Sequence, residues 1–238
     1  MGVNECELKF DGISSRDIGL TVESYPQSYM PQKDVQTQSV PGRDGDLLYD
    51  YGTYRNYTQS YTVHWRYVQR DARISEWLYK QGYRRLEDSF HPEHYRMAYY
   101  TGKSNVDNRM QVLKRASISF DCKPQWFRKS GEFGIDIQNG QVLVNSGMES
   151  KPLITVKGSS GYVTVGDRRL LLSSIPRDGI VIDCDVQDAY SIDKNTNLNS
   201  LVTLMDGQFP VLVPGQNKVS FTSGIDSVKI VPRWWDLL

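Results

Sequence analysis

The residues with the strongest metal-binding character form the segment His91-Pro92-Glu93-His94. A helix that holds a metal ion on one face places two histidines four positions apart, with a glutamate between them. Here the spacing is three and a proline interrupts the segment, while the remaining histidine, His64, falls in a predicted strand. We therefore predict polar loop residues at this position and no metal site.

A second candidate begins like a calcium-binding loop, with Asp183-Cys184-Asp185-Val186-Gln187-Asp188. Such a loop continues with an acid or amide, then a glycine, and closes on a glutamate. Gln187 stands at the fifth position, but neither the glycine nor the glutamate follows. We predict instead a strand on which Asp183 and Asp185 share the solvent-facing side of a sheet. No cofactor or metal is expected.

Nucleophilic catalysis lacks its usual sequence context in this chain. There is no Gly-x-Ser-x-Gly elbow, and no cysteine stands in a recognisable catalytic neighbourhood. A carboxylate pair for glycoside hydrolysis remains open, because the separation of such a pair is a property of the folded structure. Any chain with 28 acidic residues could supply one by chance. We therefore predict a protein that is not an enzyme.

Two turn signals stand side by side in Pro41-Gly42-Arg43-Asp44-Gly45. Pro-Gly favours a type II turn, and Asp-Gly supplies the positive φ angles of a tight hairpin. Two such signals so close together predict a protruding bent hairpin or loop, and not a core strand. We expect residues 39–48 to form an arm at an assembly interface.

The end of the sequence carries the adjacent tryptophans Trp234 and Trp235. Neighbouring residues of a strand point to opposite sides, so both tryptophans are buried only if both faces are covered. One interpretation is a terminal strand anchored on its own domain. The other places one tryptophan against another domain or a neighbouring subunit.

The elements that must position these residues are mainly strands. In the first half, residues 61–68 alternate between an aromatic or apolar face and a polar one, which predicts a half-buried strand. One helix is predicted over residues 71–81, with Asp71 as N-cap and Gly82 as the stop. Its apolar face consists of Ile74, Trp77 and Leu78. The other strands predicted in this half are 6–10, 18–25, 83–86, 95–101 and 111–123.

The second half changes character. Of the 15 tyrosines, only Tyr162 and Tyr190 follow residue 130, and short β-branched runs with frequent turns replace the aromatic strands. Many short strands at this spacing predict an all-β sandwich. We place the boundary in a polar linker at residues 127–132, giving domains 1–128 and 129–238. The strands predicted in the second half are 141–145, 152–157, 162–165, 170–172, 179–183, 211–213, 218–222 and 227–232.

The composition of the 238-residue chain is that of a soluble globular protein, with 39% hydrophobic and 24% charged residues. The formal net charge is zero, which argues against a protein that binds nucleic acid by neutralising phosphates. No apolar run approaches the roughly 20 residues of a membrane-spanning helix, so membrane insertion is not expected. The three cysteines are far apart and suggest neither a disulfide framework nor a zinc site, so a reducing folding compartment fits best.

Several segments together resemble the distal tail protein (Dit) family of long-tailed siphophages and prophages of Gram-positive bacteria. In the first half these are Phe10-Asp11-Gly12-Ile13, Ile18-Gly19-Leu20 and Val40-Pro41-Gly42-Arg43-Asp44-Gly45, followed by the aromatic strand and the helix. In the second half they are residues 145–154, residues 209–217 and the strand before the two tryptophans. Their order and spacing extend over almost the whole chain, and the length resembles the short form without an inserted carbohydrate-binding module.

The resemblance implies a mainly β fold with two domains. The N-terminal one would be a β-rich, tail-tube-like domain with one α-helix that assembles with five copies into a hexameric ring. The C-terminal one would be a galectin-like β-sandwich outside the ring. Galectin-like describes shape only, because the sugar-contact residues of true galectins are not recognisable in this sequence.

The resemblance also implies a function and partners. The chain would be a structural subunit of the virion tail tip (baseplate), made in the cytoplasm of the bacterial host. Its partners would be the major tail tube protein, the tail-associated tip protein or lysin, the tape measure protein and receptor-binding proteins. DNA would pass through the central channel without specific binding, and residues 39–48 would face a neighbouring subunit or the tube.

Two rival functions stay open at this point. The first is a carbohydrate-binding or receptor-binding module of a phage tail that uses Tyr162, Tyr190 or an exposed terminal tryptophan as a sugar platform. The second is a cell-wall hydrolase of the tail tip, which requires a convergent pair of carboxylates in a cleft. No motif in the sequence points to either.

Overall fold

The computed structural model describes residues 6–23, 30–66, 71–102, 106–109 and 113–238. The chain divides into two compact units, one formed by Phe127–Asp236 and the other by the residues up to Trp126 together with Leu237–Leu238. Each unit has its own cluster of buried apolar side chains. The architecture is mainly β, as predicted, with a single α-helix among the described residues. No helix in this part of the chain is long and apolar enough to cross a membrane.

The first unit is built from antiparallel strands and one helix. The elements up to the boundary are β1 (Leu8–Phe10), β2 (Ile13–Ser14), β3 (Leu20–Val22), β4 (Lys33–Gln38), β5 (Leu47–Tyr54), β6 (Tyr57–Arg66), α1 (Asp71–Leu78), β7 (Arg84–Asp88), β8 (His94–Tyr100), β9 (Val106–Arg109), β10 (Leu113–Cys122) and β11 (Trp126–Arg128). Its main sheet has the order β2-β1-β7-β8-β10-β6-β3, and β9 also pairs with β10. Strands β4 and β5 form a separate two-stranded sheet.

Strands β6 and β10 form the centre of this sheet and pair from Tyr57 opposite Cys122 to Arg66 opposite Leu113. Along β6 every second side chain from Tyr57 to Trp65 is buried, and the residues between them are partly or fully exposed. This period of two matches the alternation predicted for residues 61–66. Residues 67 and 68, which complete that predicted strand, lie outside the described residues.

The helix α1 buries the predicted side chains Ile74, Trp77 and Leu78. The indole nitrogen of Trp77 donates hydrogen bonds to the carbonyl oxygens of Phe10, at 3.1 Å, and Ile13, at 3.2 Å, which connect the helix to the edge of the sheet. The helix ends at Leu78 and not at residue 81 as predicted. The following residue, Tyr79, is exposed, so no apolar face continues, and Gly82 takes a φ of +70°.

The second unit consists of short antiparallel strands and two 3-10 turns. Its elements are the 3-10 turn Lys129–Gly131, β12 (Ile135–Ile137), β13 (Val142–Asn145), β14 (Leu153–Gly158), β15 (Gly161–Val165), β16 (Arg168–Leu172), β17 (Ile180–Asp183), β18 (Asp188–Ser191), the 3-10 turn Asn199–Leu201, β19 (Val202–Leu204), β20 (Gly215–Phe221), β21 (Ile225–Val231) and β22 (Trp235–Asp236). One five-stranded sheet has the order β12-β21-β14-β17-β18, and the other has the order β13-β20-β15-β16-β19.

Both sheets contribute side chains to one hydrophobic core. Ile154 and Ile230 come from the first sheet, and Val163, Leu170 and Val219 from the second, all of them fully buried. Two sheets that share a core in this way form a β-sandwich, with outward-facing residues alternating along each strand. Strand β22 is not part of either sheet and pairs with β11.

Three sequence predictions in this half differ from the structure. Segment 211–213 forms only an isolated bridge between Leu212 and Ser150, and not a strand. The predicted linker, residues 127–132, is regular backbone, because β11 pairs with β22 and a 3-10 turn follows it. Asp183 does not face solvent: it ends β17 and is buried, since it pairs with Arg233.

Candidate assembly surface

The most exposed element of the described chain is the hairpin formed by β4 and β5, which we call the arm. Its strands pair from Gln38 opposite Leu47 to Lys33 opposite Tyr54, with a bulge near Lys33. Every residue from Leu47 to Thr53 is exposed. The two strands pair with each other and with no further strand in the part of the chain that the structure describes. Both edges of the arm therefore leave backbone groups available for pairing.

The predicted arm residues Pro41, Gly42, Arg43, Asp44 and Gly45 lie together at the tip of this hairpin, and all are exposed. The backbone N–H of Arg43 donates to the carbonyl oxygen of Val40 at 3.2 Å, and Gly42 has a φ of +80°. This is a type II turn with proline at its second and glycine at its third position. Gly45 has a φ of +78°, which gives the tip its second turn.

One face of the arm carries three large exposed side chains next to two glutamines. Opposite residues of a hairpin share a face, so Leu47 and Tyr49 lie on the side of Gln36 and Gln38. Tyr51 joins them, because its ring centroid lies 5.9 Å from that of Tyr49 and its hydroxyl donates to Gln36 Oε1 at 2.8 Å. Tyr49 is 71% exposed. Large exposed apolar patches with tyrosine are typical of interaction sites.

Ion pairs hold the base of the arm. The Nζ of Lys33 lies 2.9 Å from Asp50 Oδ2, and the guanidinium of Arg55 lies 2.7 Å from Asp34. The pKa of Asp50 is lowered, first by a hydrogen bond from the backbone N–H of Gly52 and then by Lys33. These exposed pairs lie at the base of the hairpin and add little stability, because water screens them.

The two terminal tryptophans contact residues of their own unit. Trp234 is half-buried against the core of the sandwich. Trp235 lies in β22, and its indole nitrogen donates to the carbonyl oxygen of Glu149 at 2.7 Å. The backbone of Trp234 accepts a hydrogen bond from Arg128 at 2.8 Å. These contacts anchor the terminal segment to the second unit.

Two arginine–aspartate pairs hold the same segment. Arg128 forms a bidentate pair with Asp236, in which its Nε donates to Oδ2 at 2.6 Å. Arg233 forms a second bidentate pair with Asp183, at 2.6 and 2.8 Å. Arg233 has a φ of +54°, so the chain bends there before it reaches the pair of tryptophans. Asp183, the first residue of the segment that begins like a calcium-binding loop, is therefore the acidic partner of an ion pair.

A fully buried ion pair in the first unit connects Arg96 and Asp88. Asp88 also accepts hydrogen bonds from the Tyr61 hydroxyl at 2.8 Å and the backbone N–H of His91 at 3.0 Å. The guanidinium of Arg96 lies 4.1 Å from the ring centroid of Trp126. Burial opposes ionisation of Asp88, but Arg96, Tyr61 and His91 outweigh it, so the pKa of Asp88 lies below its usual value.

This pair also determines the environment of the histidine segment. The Nδ1 of His91 lies 3.0 Å from Asp88 Oδ1, and the His91 ring packs edge-on against Trp126, with centroids 4.6 Å apart. Among the described residues there is no group of three or more His, Cys, Asp or Glu side chains that could hold a metal ion. His91 therefore belongs to a structural network of the first unit.

Sequence reasoning did not identify Arg96 or Asp88 as special. The available signal was the position of Arg96 in the strand predicted at residues 95–101, where it shares the inward side with Ala98. An arginine on the inward side of a strand requires a buried acceptor. The partner is eight residues away on the neighbouring strand β7, so no short motif reveals it.

Two β units, an exposed hairpin and ion pairs within each unit characterise a mainly β protein. No protein-family model matches the chain, and no curated protein matches it. Its fold does match a solved structure, the Dit (gp 19.1) protein of phage SPP1, described as a paradigm of the hub adsorption apparatus in phages that infect Gram-positive bacteria. The TM-score is 0.76, with 94% of this chain and 98% of that chain covered at 12% sequence identity.

The mainly β, Dit-like fold that the sequence resemblance implied is therefore confirmed. The structural neighbour is a phage distal tail hub protein, and the likeness extends over nearly the whole of both chains. At 12% identity the shared property is the fold, since most side chains differ. What this chain does must therefore be argued from its own surfaces.

Proposed function

We propose that the chain is a structural, non-enzymatic subunit of a phage distal tail, where it forms a hexameric ring that joins the tail tube to the tail-tip and receptor-binding apparatus. The observation that supports this function is the fold match to a phage hub protein over 94% of the chain. The exposed arm supports it further, because its side chains are uncovered in the single chain and are available to contact a neighbouring subunit.

The arm is the proposed contact between subunits. A closed ring needs a heterologous interface, in which one face of a subunit meets a different face of the next. Residues 39–48, with Pro41, Gly42, Arg43, Asp44 and Gly45 at the tip, would reach a neighbouring subunit or the tube. The apolar side chains Leu47, Tyr49 and Tyr51 would supply buried area at that contact.

The proposed domains follow the sequence boundary, with residues 1–128 as the tail-tube-like ring-forming part and residues 129–238 as a galectin-like sandwich outside the ring. Trp234 and Trp235 would hold the terminal strand on that sandwich, because their described contacts lie within the second unit. In the virion the chain would lie at the tail tip, after synthesis in the host cytoplasm.

The proposed partners follow from a position between the tube and the tip. The major tail tube protein would bind on one side and the tail-associated tip protein or lysin on the other, with tape measure and receptor-binding proteins as further partners. DNA would pass through the channel without specific contacts, which agrees with a formal net charge of zero.

The mass of the assembly that the purified 238-residue chain forms in solution tests the ring. We expect mass photometry to detect a species of about six times the 27.3 kDa chain, and negative-stain images to show rings. Arg43→Ala, Tyr49→Ser and a deletion of residues 42–45 should shift the distribution toward the monomer. Arg177→Ala and Val186→Ser, at exposed positions of the second unit, serve as matched controls and should leave it unchanged.

Two results would separate the parts of this proposal. If the arm variants form rings as well as the controls do, the arm is not the contact although the ring stands. If the unmodified chain stays monomeric at every concentration and also with the tube protein present, the ring itself is excluded.

A further inference from the structure

The outer face of the second sandwich sheet carries a row of polar side chains. Thr164 on β15 lies directly opposite Arg169 on β16 and, on its other side, opposite Ser220 on β20. Opposite residues share a face and adjacent strands lie about 4.8 Å apart, so the row extends over about 10 Å. The residues between them along the strands, including Val163 and Leu170, are buried in the core. The row therefore faces outward.

This row forms the floor of a shallow cleft with a volume of about 170 Å³. The ring of Tyr162 forms one wall and is 37% exposed, while Phe221 and Thr222 complete the lining. The lining thus combines two aromatic side chains with four polar ones. The size of the cleft suits one sugar ring or a group of similar size.

The guanidinium of Arg169 is oriented by two neighbours. Its Nε donates to Thr164 Oγ1 at 3.3 Å, and its Cζ lies 5.6 Å from the centroid of the Tyr162 ring. Within the described part of the chain, no carboxylate forms an ion pair with Arg169. The nearest acidic contact is Asp206, whose Oδ2 accepts from the backbone N–H of Arg169 at 3.2 Å. The terminal nitrogens therefore keep their capacity to bind an anion.

Hydroxyl groups beside the arginine extend this capacity. Thr222 Oγ1 accepts a hydrogen bond from the backbone N–H of Tyr162 at 3.0 Å, which leaves its own proton to donate. Ser220 lies in the row next to Thr164, and Lys218, two residues earlier on β20, is exposed on the same face. The cleft thus combines positive charge, hydroxyl donors and an aromatic surface.

We propose that this cleft binds an acidic saccharide, a sugar ring that carries a carboxylate or a phosphate. The Tyr162 ring would pack against the apolar face of the sugar. Arg169 would bind the anionic group through paired N–H donors, an arrangement that matches carboxylate and phosphate geometry. Ser220 and Thr222 would bind the sugar hydroxyls. The site gives the second unit a binding role that the ring does not require.

Calorimetry and saturation-transfer NMR with the full-length chain test the proposal. The probes are methyl glucuronide and glucose 6-phosphate, with methyl glucoside, acetate and inorganic phosphate for comparison. We expect both acidic sugars to bind at least about tenfold more tightly than methyl glucoside, since hydrogen bonds to charged groups contribute this much. A preference between the first two probes distinguishes a carboxylate ligand from a phosphate ligand.

Substitutions locate the site. Arg169→Gln should weaken binding of the acidic sugars at least about tenfold and leave methyl glucoside binding nearly unchanged. Tyr162→Ala should abolish binding of all three sugars, whereas Tyr162→Phe keeps the ring and should retain it. Arg177→Gln removes an exposed arginine of the same unit outside the cleft and should have no effect.

Three results would overturn the proposal. The first is no signal with either acidic sugar. The second is inorganic phosphate or acetate binding as tightly as the acidic sugars, which would show an anion site without sugar recognition. The third is an equal loss of affinity in Arg169→Gln and Arg177→Gln. None of these results bears on the ring, which is tested by the mass of the assembly.

Discussion

At the scale of single residues, the pair between Arg96 and Asp88 dominates the interior of the first unit, because both side chains are only 1% exposed. Removing Arg96 leaves the buried Asp88 carboxylate with its hydrogen bonds but without its opposite charge. We expect Arg96→Met to lower the free energy of unfolding by about 3–5 kcal/mol. Urea unfolding followed by tryptophan fluorescence measures it. Replacing both residues, with Arg96→Met and Asp88→Leu, should recover part of the loss.

An exposed ion pair provides the control for this prediction. The Nζ of Lys229 lies 3.5 Å from Asp136 Oδ1, and these side chains are 51% and 85% exposed. Lys229→Met should change the free energy of unfolding by less than about 1 kcal/mol, because water screens such pairs. If Arg96→Met lowers the free energy of unfolding no more than Lys229→Met does, the pair between Arg96 and Asp88 does not stabilise the first unit.

The pair between Asp183 and Arg233 predicts a pH dependence. Burial opposes ionisation of Asp183, but the hydrogen bonds and charge of Arg233 outweigh it, so the pKa of Asp183 is lowered in the folded state. Its stabilisation is therefore complete above the unfolded pKa of about 3.9 and is lost as the pH falls through the lower folded value. Asp183→Asn should cost more stability at pH 7 than at pH 3.

The measurement is urea unfolding of the unmodified chain and Asp183→Asn between pH 7 and pH 3. The difference between them should begin to shrink as the pH approaches the unfolded pKa of about 3.9. Asp226→Asn replaces an exposed carboxylate of the same unit and serves as the control, with an expected change in the free energy of unfolding close to zero. A cost for Asp183→Asn that stays constant down to pH 3 would exclude the lowered pKa.

These two pairs show what a sequence can and cannot predict for single residues. The metal-like and calcium-like segments were judged by motif spacing alone, which is a local property. The burial of Asp183 was missed, since it depends on Arg233, fifty residues later and beyond a bend with positive φ. Long-range partners of this kind leave no local pattern.

At the scale of elements, the terminal strand β22 depends on a close approach at Gly131. A Cβ at this position would lie 2.4 Å from the backbone nitrogen of Trp234 and 3.0 Å from its Cβ. Gly131→Ala should therefore displace the terminal segment and lower the free energy of unfolding by about 1–3 kcal/mol. Urea unfolding measures the loss, and the fluorescence of Trp234 and Trp235 reports the displacement.

Gly134→Ala is the matched control for this prediction. The atoms that its Cβ would meet, at 2.8 and 2.9 Å, belong to the flexible side chain of Lys229, which can move aside. We expect a much smaller loss than for Gly131→Ala. Equal costs for the two variants would show that the contact with Trp234 does not hold the strand.

Elements with a strong hydrophobic period were the ones the sequence predicted. Strand β6 and helix α1 bury one face, so their patterns are visible, whereas the arm strands β4 and β5 bury no side chain fully and show no alternation. Only the turn residues Pro41-Gly42 and Asp44-Gly45 indicated that hairpin. Short strands such as β18 and β19 were missed, because three or four residues are too few to show a period.

At the scale of the whole molecule, the two separate cores suggest two domains that unfold independently. Leu86 in the first core and Leu170 in the second are both fully buried. Replacing either with alanine should destabilise its own core by about 2–5 kcal/mol. We expect calorimetry to show two transitions, with Leu86→Ala lowering one midpoint and Leu170→Ala lowering the other.

The comparison must be made at one protein concentration, because assembly into a ring would raise the midpoint of whichever domain forms the contacts. Dilution therefore provides a second test. If the ring forms through the first unit, dilution should lower the midpoint of the transition that Leu86→Ala affects and leave the other midpoint unchanged. Hydrogen exchange measured by mass spectrometry assigns each transition to its residues. A single transition that both variants shift equally would mean that the chain unfolds as one cooperative unit, and the proposed boundary near residue 128 would then be wrong.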